Sequence, residues 1–335
     1  MPPTDLKSDR QVVLGIIGLG YTGRQQLLAS ASVPQIRVTA VAETRPEPVR
    51  SAAAEIEVYR DWGDLLLDPV IQAVSICLPH HLHAEAVIES LKAGKHVLVE
   101  KPLAIDCGEA KRIVAAADRA HRQVMVEMTH RFYPPVQEGK DLVGSGRLGR
   151  IYAAEDRIIE PVNPDRFPAW LLQRRMAGGG VALTSGIHML DRTAWVCGQG
   201  LRFLFGSGHR THRLGDVEDT AAMQLCLEDG TPVSLLASWP RADGPMDDEL
   251  TVYGTEGTLR IWAWRGWRFE PVNGEPEEHL CYDPDADHFA RVRVGMAGAL
   301  REFAQALLGG RSPNPTAREV LPAQSIIDQF YQRSA

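Results

Sequence analysis

The sequence predicts an α/β chain in two parts: an N-terminal doubly wound parallel sheet over residues 1–128, then an α+β domain with a largely antiparallel open sheet over residues 129–335. Three observations predict it. Apolar runs short enough to be buried strands alternate with amphipathic helical stretches through the first third of the chain. The first of those runs ends in a glycine-rich turn, Gly18-Leu19-Gly20-Tyr21-Thr22-Gly23. In the second half most apolar segments are joined by short turns such as Glu228-Asp229-Gly230 and Thr255-Glu256-Gly257, which suit antiparallel neighbours.

Residues 12–17 read as a buried strand and run straight into the glycine turn, with residues 24–31 as the helix that follows. A G-x-G-x-x-G run between strand and helix is the fingerprint of a Rossmann dinucleotide site. Its glycines permit a tight turn, close approach of backbone to a pyrophosphate and close helix packing, and the helix aims its first amides at the phosphate. A second strand at residues 36–42 ends at Glu43, about twenty residues past the glycines, where a carboxylate can accept both ribose hydroxyls and repel a 2′-phosphate. Arg45 could instead stack on adenine or meet such a phosphate, so NAD is the expected cofactor and NADP the alternative.

Residues 49–56 and 61–67 read as helical, 73–78 as a strand, and 84–93 as an amphipathic helix stopped by Gly94. Between the last two lies Pro79-His80-His81-Leu82-His83. Three histidines this closely spaced in a proline-led loop, with no acid nearby, do not match the usual zinc ligand pattern, and no metal is expected. The next strand is Val97-Leu98-Val99, continuing into Glu100-Lys101-Pro102. Ligands of open α/β sheets bind outside the carboxyl ends of strands, so Lys101 is a candidate to face the cofactor's reactive end. Pro102 lowers the cost of a cis bond there to about 0.5–1 kcal/mol. Residues 124–127 supply the last strand of the first domain.

In the second half, strands are expected at 151–159, 201–207, 220–227, 232–239, 249–254 and 258–263, and helices near 170–175, 188–196 and 297–308. Trp262, Trp264 and Trp267 recur near this sheet, either as core or as an oligomer face.

With 335 residues, 44% hydrophobic and 24% charged, the chain is long enough for two cores and has the composition of a soluble globular protein. A net charge of −7 argues against nonspecific nucleic-acid binding. No apolar run approaches the roughly 18–20 residues of a membrane span, and the polar first ten residues lack a signal-peptide core, so a cytoplasmic protein without membrane or nucleic-acid partners is expected. The five cysteines stand singly, which suggests reduced thiols.

The run 93–104 (AGKHVLVEKPLA), taken with the glycine turn and Pro79 to His83, resembles the Gfo/Idh/MocA family of NAD(P)-dependent oxidoreductases. Further matching segments are Arg131-Phe132-Tyr133-Pro134 with residues 140–151, Gly254 to Leu259, Gly310-Arg311 and a final helix near 325–334. The resemblance implies a dehydrogenase acting on CH–OH groups of a sugar or polyol, assembled as a homodimer or homotetramer. It implies that Gly18, Gly20, Tyr21, Thr22, Gly23, Glu43, Arg45, Pro79, His80, His83, Glu100 and Lys101 bind the cofactor.

Residues 178–191 are similar to the family segment that carries an Asp and, one helical turn later, a His facing the nicotinamide. Here the His is His188, but Thr184 stands where the Asp is usual, and Thr cannot serve as a carboxylate base. His188, whose unperturbed pKa of about 6.5 suits proton exchange, and Lys101 are the catalytic candidates. Asp191, a position usually structural in the family, could orient His188. Substrate-binding candidates are Lys101, Arg131, Trp170, Arg174, Thr184 and His188; Arg166 and Arg175 could also grip a carboxylate or phosphate, or form a solvated helix face. Two other readings stay open: glycoside cleavage with internal cofactor recycling, and a non-catalytic NAD(P)-binding protein.

Overall fold

Every residue of β1 (Val12–Ile17) is buried, which is why its sequence is apolar without alternation: a strand covered on both faces needs apolar side chains on each. The structure is a computed structural model that describes residues 11–45, 56–163, 167–240, 246–283 and 287–333. After β1 come α1 (Tyr21–Ser30), β2 (Ile36–Ala42), β3 (Glu57–Tyr59), α2 (Trp62–Leu67), β4 (Ala73–Ile76), α3 (His83–Lys92), β5 (His96–Glu100), α4 (Cys107–Ala120) and β6 (Val124–Glu127). The strands form one six-stranded sheet in the order β3-β2-β1-β4-β5-β6, and every pair is parallel. Strand order reverses between β1 and β4, so the chain leaves both strands at the edge where a doubly wound sheet holds its ligand. The helix expected over 49–56 lies outside the described residues except for Ile56, which is not helical. β3 and α4 are additions to the expected elements.

One compact unit comprises Met1–Ala104, Gly108–Met128 and Val292–Leu321. The last of these segments lies along the edge strand of the sheet. The Val126 amide donates to the Pro315 carbonyl at 3.1 Å, Ala317 donates to Val124 at 2.9 Å, and Thr316 bridges Met125 in antiparallel fashion.

The second unit comprises Ile105–Cys107, Thr129–Arg291 and Pro322–Ala335. The elements after β6 are α5 (Pro134–Gly144), β7 (Ile151–Ile159), α6 (Arg174–Ala177), α7 (Val181–Thr184), α8 (Gly186–Cys197), β8 (Leu201–His209), β9 (Thr220–Leu227), β10 (Pro232–Ser238), β11 (Asp247–Gly254), β12 (Gly257–Trp262), β13 (Gly266–Pro271), β14 (Glu277–Leu280), α9 (His288–Leu308) and α10 (Leu321–Arg333). Eight strands make a sheet in the order β14-β13-β12-β11-β7-β10-β9-β8. It is antiparallel throughout except where β7 pairs with β10, and β13 and β14 extend it beyond the strands expected. Along β7 the buried Ala154, Asp156 and Ile158 alternate with more exposed neighbours, the period-two signature of a sheet with one covered face. Helix α8 packs against β7.

The three tryptophans are half-buried, and each indole donates to a carboxylate: Trp262 to Glu249 at 2.7 Å, Trp264 to Asp248 at 2.8 Å and Trp267 to Glu138 at 2.6 Å. All five cysteines are free thiols. Among the described residues no helix is long and apolar enough to cross a membrane.

Candidate active site

The glycine turn of the first unit assigns a different task to each glycine. Gly18 has φ +89°, and a Cβ there would lie 2.6 Å from the Cys77 carbonyl oxygen. A Cβ on Gly23 would come within 2.1 Å of the Gly18 carbonyl oxygen, so this glycine lets α1 close on the strand. A Cβ on Gly20 would meet nothing within 4 Å: the backbone at the N-cap of α1 faces open space, as a pyrophosphate requires. Beneath the turn, Ile16, Leu19 and Val41 form a buried cluster.

Glu43, at the end of β2, is almost fully buried. Its Oε2 accepts the Leu19 amide of the glycine turn at 2.9 Å and its Oε1 accepts the Arg45 amide at 3.0 Å. Burial pushes this carboxyl up, but the two amides, the Arg45 charge and the Thr44 hydroxyl outweigh it and hold the group below its ordinary value. Glu43 is therefore a carboxylate at neutral pH. The Arg45 side chain is 77% exposed, with its guanidinium 3.7 Å from Glu43.

At the carboxyl ends of β4 and β5, a short 3-10 turn (His80–Leu82) leads into α3, and the Lys101–Pro102 peptide is cis. His83 is fully buried, and its ring nitrogens lie 2.8 Å from the carbonyl oxygens of Pro102 and Leu78. Burial depresses its pKa, with the Lys101 and His81 charges adding to the effect, while the two carbonyls, which can only accept, pull the other way. Below Lys101 lies a buried polar network. The Lys101 amide donates to Glu100 at 3.1 Å, Gln26 donates to Glu127 at 2.5 Å, and Ser75 donates to Gln26. Burial raises both carboxyls, and the Glu100 charge drives Glu127 well above the usual range, so Glu127 is the member that keeps its proton and donates to Glu100.

In the second unit the run Gly178-Gly179-Gly180 is a packing device. Gly178 has φ +84°, and Cβ atoms on Gly179 and Gly180 would collide with the Tyr331 hydroxyl and the Glu218 carbonyl. Glu218 then accepts the amides of Gly180 and Ala182 at 3.0 Å and the Tyr331 hydroxyl at 2.8 Å. Two short helices follow and meet at Ser185, with Thr184 at the end of α7 and His188 in the first turn of α8, both nearly buried. The His188 ring stacks on His130 at 4.3 Å between centroids and 17° between planes. His130 Nδ1 lies 3.1 Å from the Arg192 guanidinium. Arginine only donates, so Nδ1 is the acceptor and the proton of neutral His130 sits on Nε2. Arg192 is itself buried and bonded to Asp156 and Asp248, and Asp156 also accepts the Thr193 hydroxyl at 2.8 Å.

The model of the oxidoreductase family with an NAD-binding Rossmann fold matches residues 12–128, and that of the GFO/IDH/MocA C-terminal domain matches residues 136–260. The chain belongs to the Gfo/Idh/MocA family. It is 28% identical over 259 residues to the uncharacterised oxidoreductase YrbE of Bacillus subtilis, covering 74% of this chain and 73% of YrbE. To the myo-inositol 2-dehydrogenase of Thermotoga maritima it is 26% identical over 258 residues, covering 75% and 74%. The structure of a levoglucosan dehydrogenase in complex with NADH and levoglucosan superposes with a TM-score of 0.86 over 97% of both chains at 22% identity, a likeness of fold.

In this Gfo/Idh/MocA oxidoreductase the sheet of the first unit gathers the expected cofactor residues at one edge: the glycine turn after β1, Glu43 and Arg45 after β2, Pro79 to His83 after β4, and Glu100 and Lys101 at the end of β5. The second-unit residues have less uniform surroundings. Arg131 forms a buried two-pronged pair with Asp191, at 2.8 and 2.7 Å, so Asp191 serves Arg131 rather than orienting His188. Trp170 lies in the 3-10 turn Ala169–Leu172 and Arg174 opens α6, with its guanidinium over the Tyr331 ring at 4.6 Å; Arg175 is exposed. Arg166 lies outside the described residues. Sequence reasoning missed Gln26, Glu127, His130 and Arg192. His130 alone had a local signal, standing one residue before Arg131 in a segment that matches the family.

Proposed function

We propose that the protein is an NAD-dependent dehydrogenase of a sugar, cyclic polyol or related hydroxylated compound, working in the cytoplasm as a homo-oligomer. One observation carries the reading. In a chain of an oxidoreductase family, the middle glycine of the turn faces open space while the acid ending the next strand is ionised and bonded to that same turn. The relatives named for myo-inositol and levoglucosan favour ring-shaped carbohydrate alcohols as substrates. Free thiols suit a reducing compartment, and exposed Tyr152, Leu204, Phe205 and Leu236 on the eight-stranded sheet suit contact between copies.

NAD, when bound, supplies the nicotinamide carbon that exchanges hydride with the substrate's carbinol carbon. The chain's residues do the rest. The turn from Gly18 to Gly23 and the first amides of α1 hold the pyrophosphate, and Glu43 accepts the ribose hydroxyls. Tyr21, Thr22, Pro79, His80 and Glu100 complete the cofactor site. Lys101 donates a hydrogen bond to the reacting oxygen, and His188 takes or returns the hydroxyl proton. With Thr184 in place of a carboxylate, position 184 supplies no negative charge to raise the basicity of His188.

The test is NADH formation across anhydrosugars, cyclic polyols and sugar acids, with NAD and NADP in parallel. Turnover with at least one of them and a preference for NAD are expected. His188→Ala and Lys101→Met should each lower kcat by about 10²- to 10⁴-fold while NAD still binds. Thr184→Asp should keep or raise kcat. Full activity in both His188→Ala and Lys101→Met would overturn the assignment, and release of a leaving group without net NADH would replace it with internal recycling.

A further inference from the structure

Away from the candidate active site, one cluster in the second unit joins an imidazole, a thiol and a carboxylate. His279 lies on the edge strand β14 and Cys281 is the residue just past its end, two positions on. The Cys281 amide continues the pairing by donating to Arg265 at 2.9 Å. Glu138 reaches them from α5. Its Oε2 lies 2.6 Å from His279 Nδ1 and 3.6 Å from Cys281 Sγ, and that sulfur lies 3.6 Å from the same imidazole nitrogen.

We propose that Glu138, His279 and Cys281 form a zinc-binding site with its fourth position open to water. With metal bonds of about 2.3 Å to sulfur and about 2.0–2.1 Å to nitrogen and oxygen, a tetrahedral zinc holds sulfur roughly 3.5 Å from each of the other two ligands and holds nitrogen roughly 3.3 Å from oxygen. Both sulfur separations are already those of the complex. The Glu138–His279 contact must widen by about 0.7 Å, which side chains 39% and 53% exposed can do by small rotations.

A hydrogen-bond hub alone would account for Glu138, His279 and Trp267, whose indole donates to the same carboxylate oxygen at 2.6 Å. The thiol adds only a weak S–H donor to that hub, at 3.6 Å from the carboxylate, and the same separation is a ligand distance from both partners. Trp267 in turn orients the carboxylate as an outer-shell donor does around a metal. One sulfur, one nitrogen and one carboxylate oxygen suit zinc, whereas calcium and magnesium select oxygen. Binding replaces the thiol proton, which leaves to solvent, and uses the His279 Nδ1 lone pair with the ring proton on Nε2. The metal would pin β14, the outermost strand of its sheet, to α5.

The experiment uses the full chain stripped of metal by chelator dialysis and titrated with Zn²⁺ against a chromophoric chelator, with Co²⁺ as a spectroscopic probe. One Zn²⁺ per chain at micromolar affinity or tighter is expected, together with a thiolate-to-cobalt charge-transfer band. Cys281→Ser and His279→Gln should each weaken Zn²⁺ by about tenfold or more and Cys281→Ser should remove the band. Wild-type protein that holds Zn²⁺ no better than Cys281→Ser, or a cobalt complex without the thiolate band, would overturn the site. The band is read on the wild type, so a poorly folding variant does not shelter the proposal.

Discussion

Around the nucleotide turn of the first unit the shape is made by backbone, with glycines where a side chain would collide and an opening where none would. Around His188 in the second unit it is made by side-chain charge: Arg192 is held between Asp156 and Asp248 and faces His130, on which His188 stacks. A site made of backbone is damaged by adding atoms. One made of buried charge is damaged by removing them, since each remaining ion keeps the cost of its burial and loses its compensation.

The largest expected effect is therefore in the charge cluster. Arg192→Met should lower unfolding free energy by about 3–5 kcal/mol, measured by denaturant titration, because it strands two buried aspartates. A loss below about 1 kcal/mol would show that the aspartates relax by taking up protons, and the contrast between the regions would weaken. Next comes the turn. Gly23→Ala should cost about 1–3 kcal/mol, since its Cβ meets backbone rather than a flexible side chain. Gly20→Ala should stay within about 0.5 kcal/mol of wild type while weakening NAD about tenfold, because its Cβ enters only the cofactor's space. Equal stability losses in both variants would remove the distinction drawn between the two glycines.

The smallest effect sharpens the comparison, because the first unit also contains buried charge, in the Glu100–Glu127 pair. The folded-state pKa of Glu127 lies well above 4.5. As pH rises past that value the unfolded chain gives up the proton that the folded chain keeps, so the contribution of this group to stability falls with rising pH. Glu127→Gln keeps a donor toward Glu100 and removes the titration. Relative to wild type it should gain stability as pH is raised above the ordinary carboxylate range, read from melting at each pH. Parallel pH profiles would mean that Glu127 is not the proton carrier.

The same contrast decides what the sequence could disclose. β1, β2, β6, β7 and β9 fall where their apolar patterns place them, because a strand buried on one or both faces records this in its own residues. β14 left no such record: all four of its residues are exposed, and only pairing with β13 makes it a strand. α4 was hidden by Gly108 near its start and by the charges Lys111, Arg112, Asp118 and Arg119 around a narrow apolar stripe. The glycine turn and Glu43 were legible because their spacing is local. Arg192 and His130 are 62 residues apart and Gln26 and Glu127 are 101 apart, so those contacts exist only once the chain has folded.

The strap formed by residues 315–317 along β6 has a practical consequence for anyone dividing this protein. Without Pro315 and Ala317, the Val126 amide and the Val124 carbonyl on the outer side of β6 would lose the partners that now occupy them, and β6 would offer an open template to any extended segment nearby. A fragment cut at residue 128 would keep the whole nucleotide turn and still tend to self-associate through that edge. A soluble minimal nucleotide-binding fragment therefore has to carry the strap, grafted back from almost two hundred residues downstream.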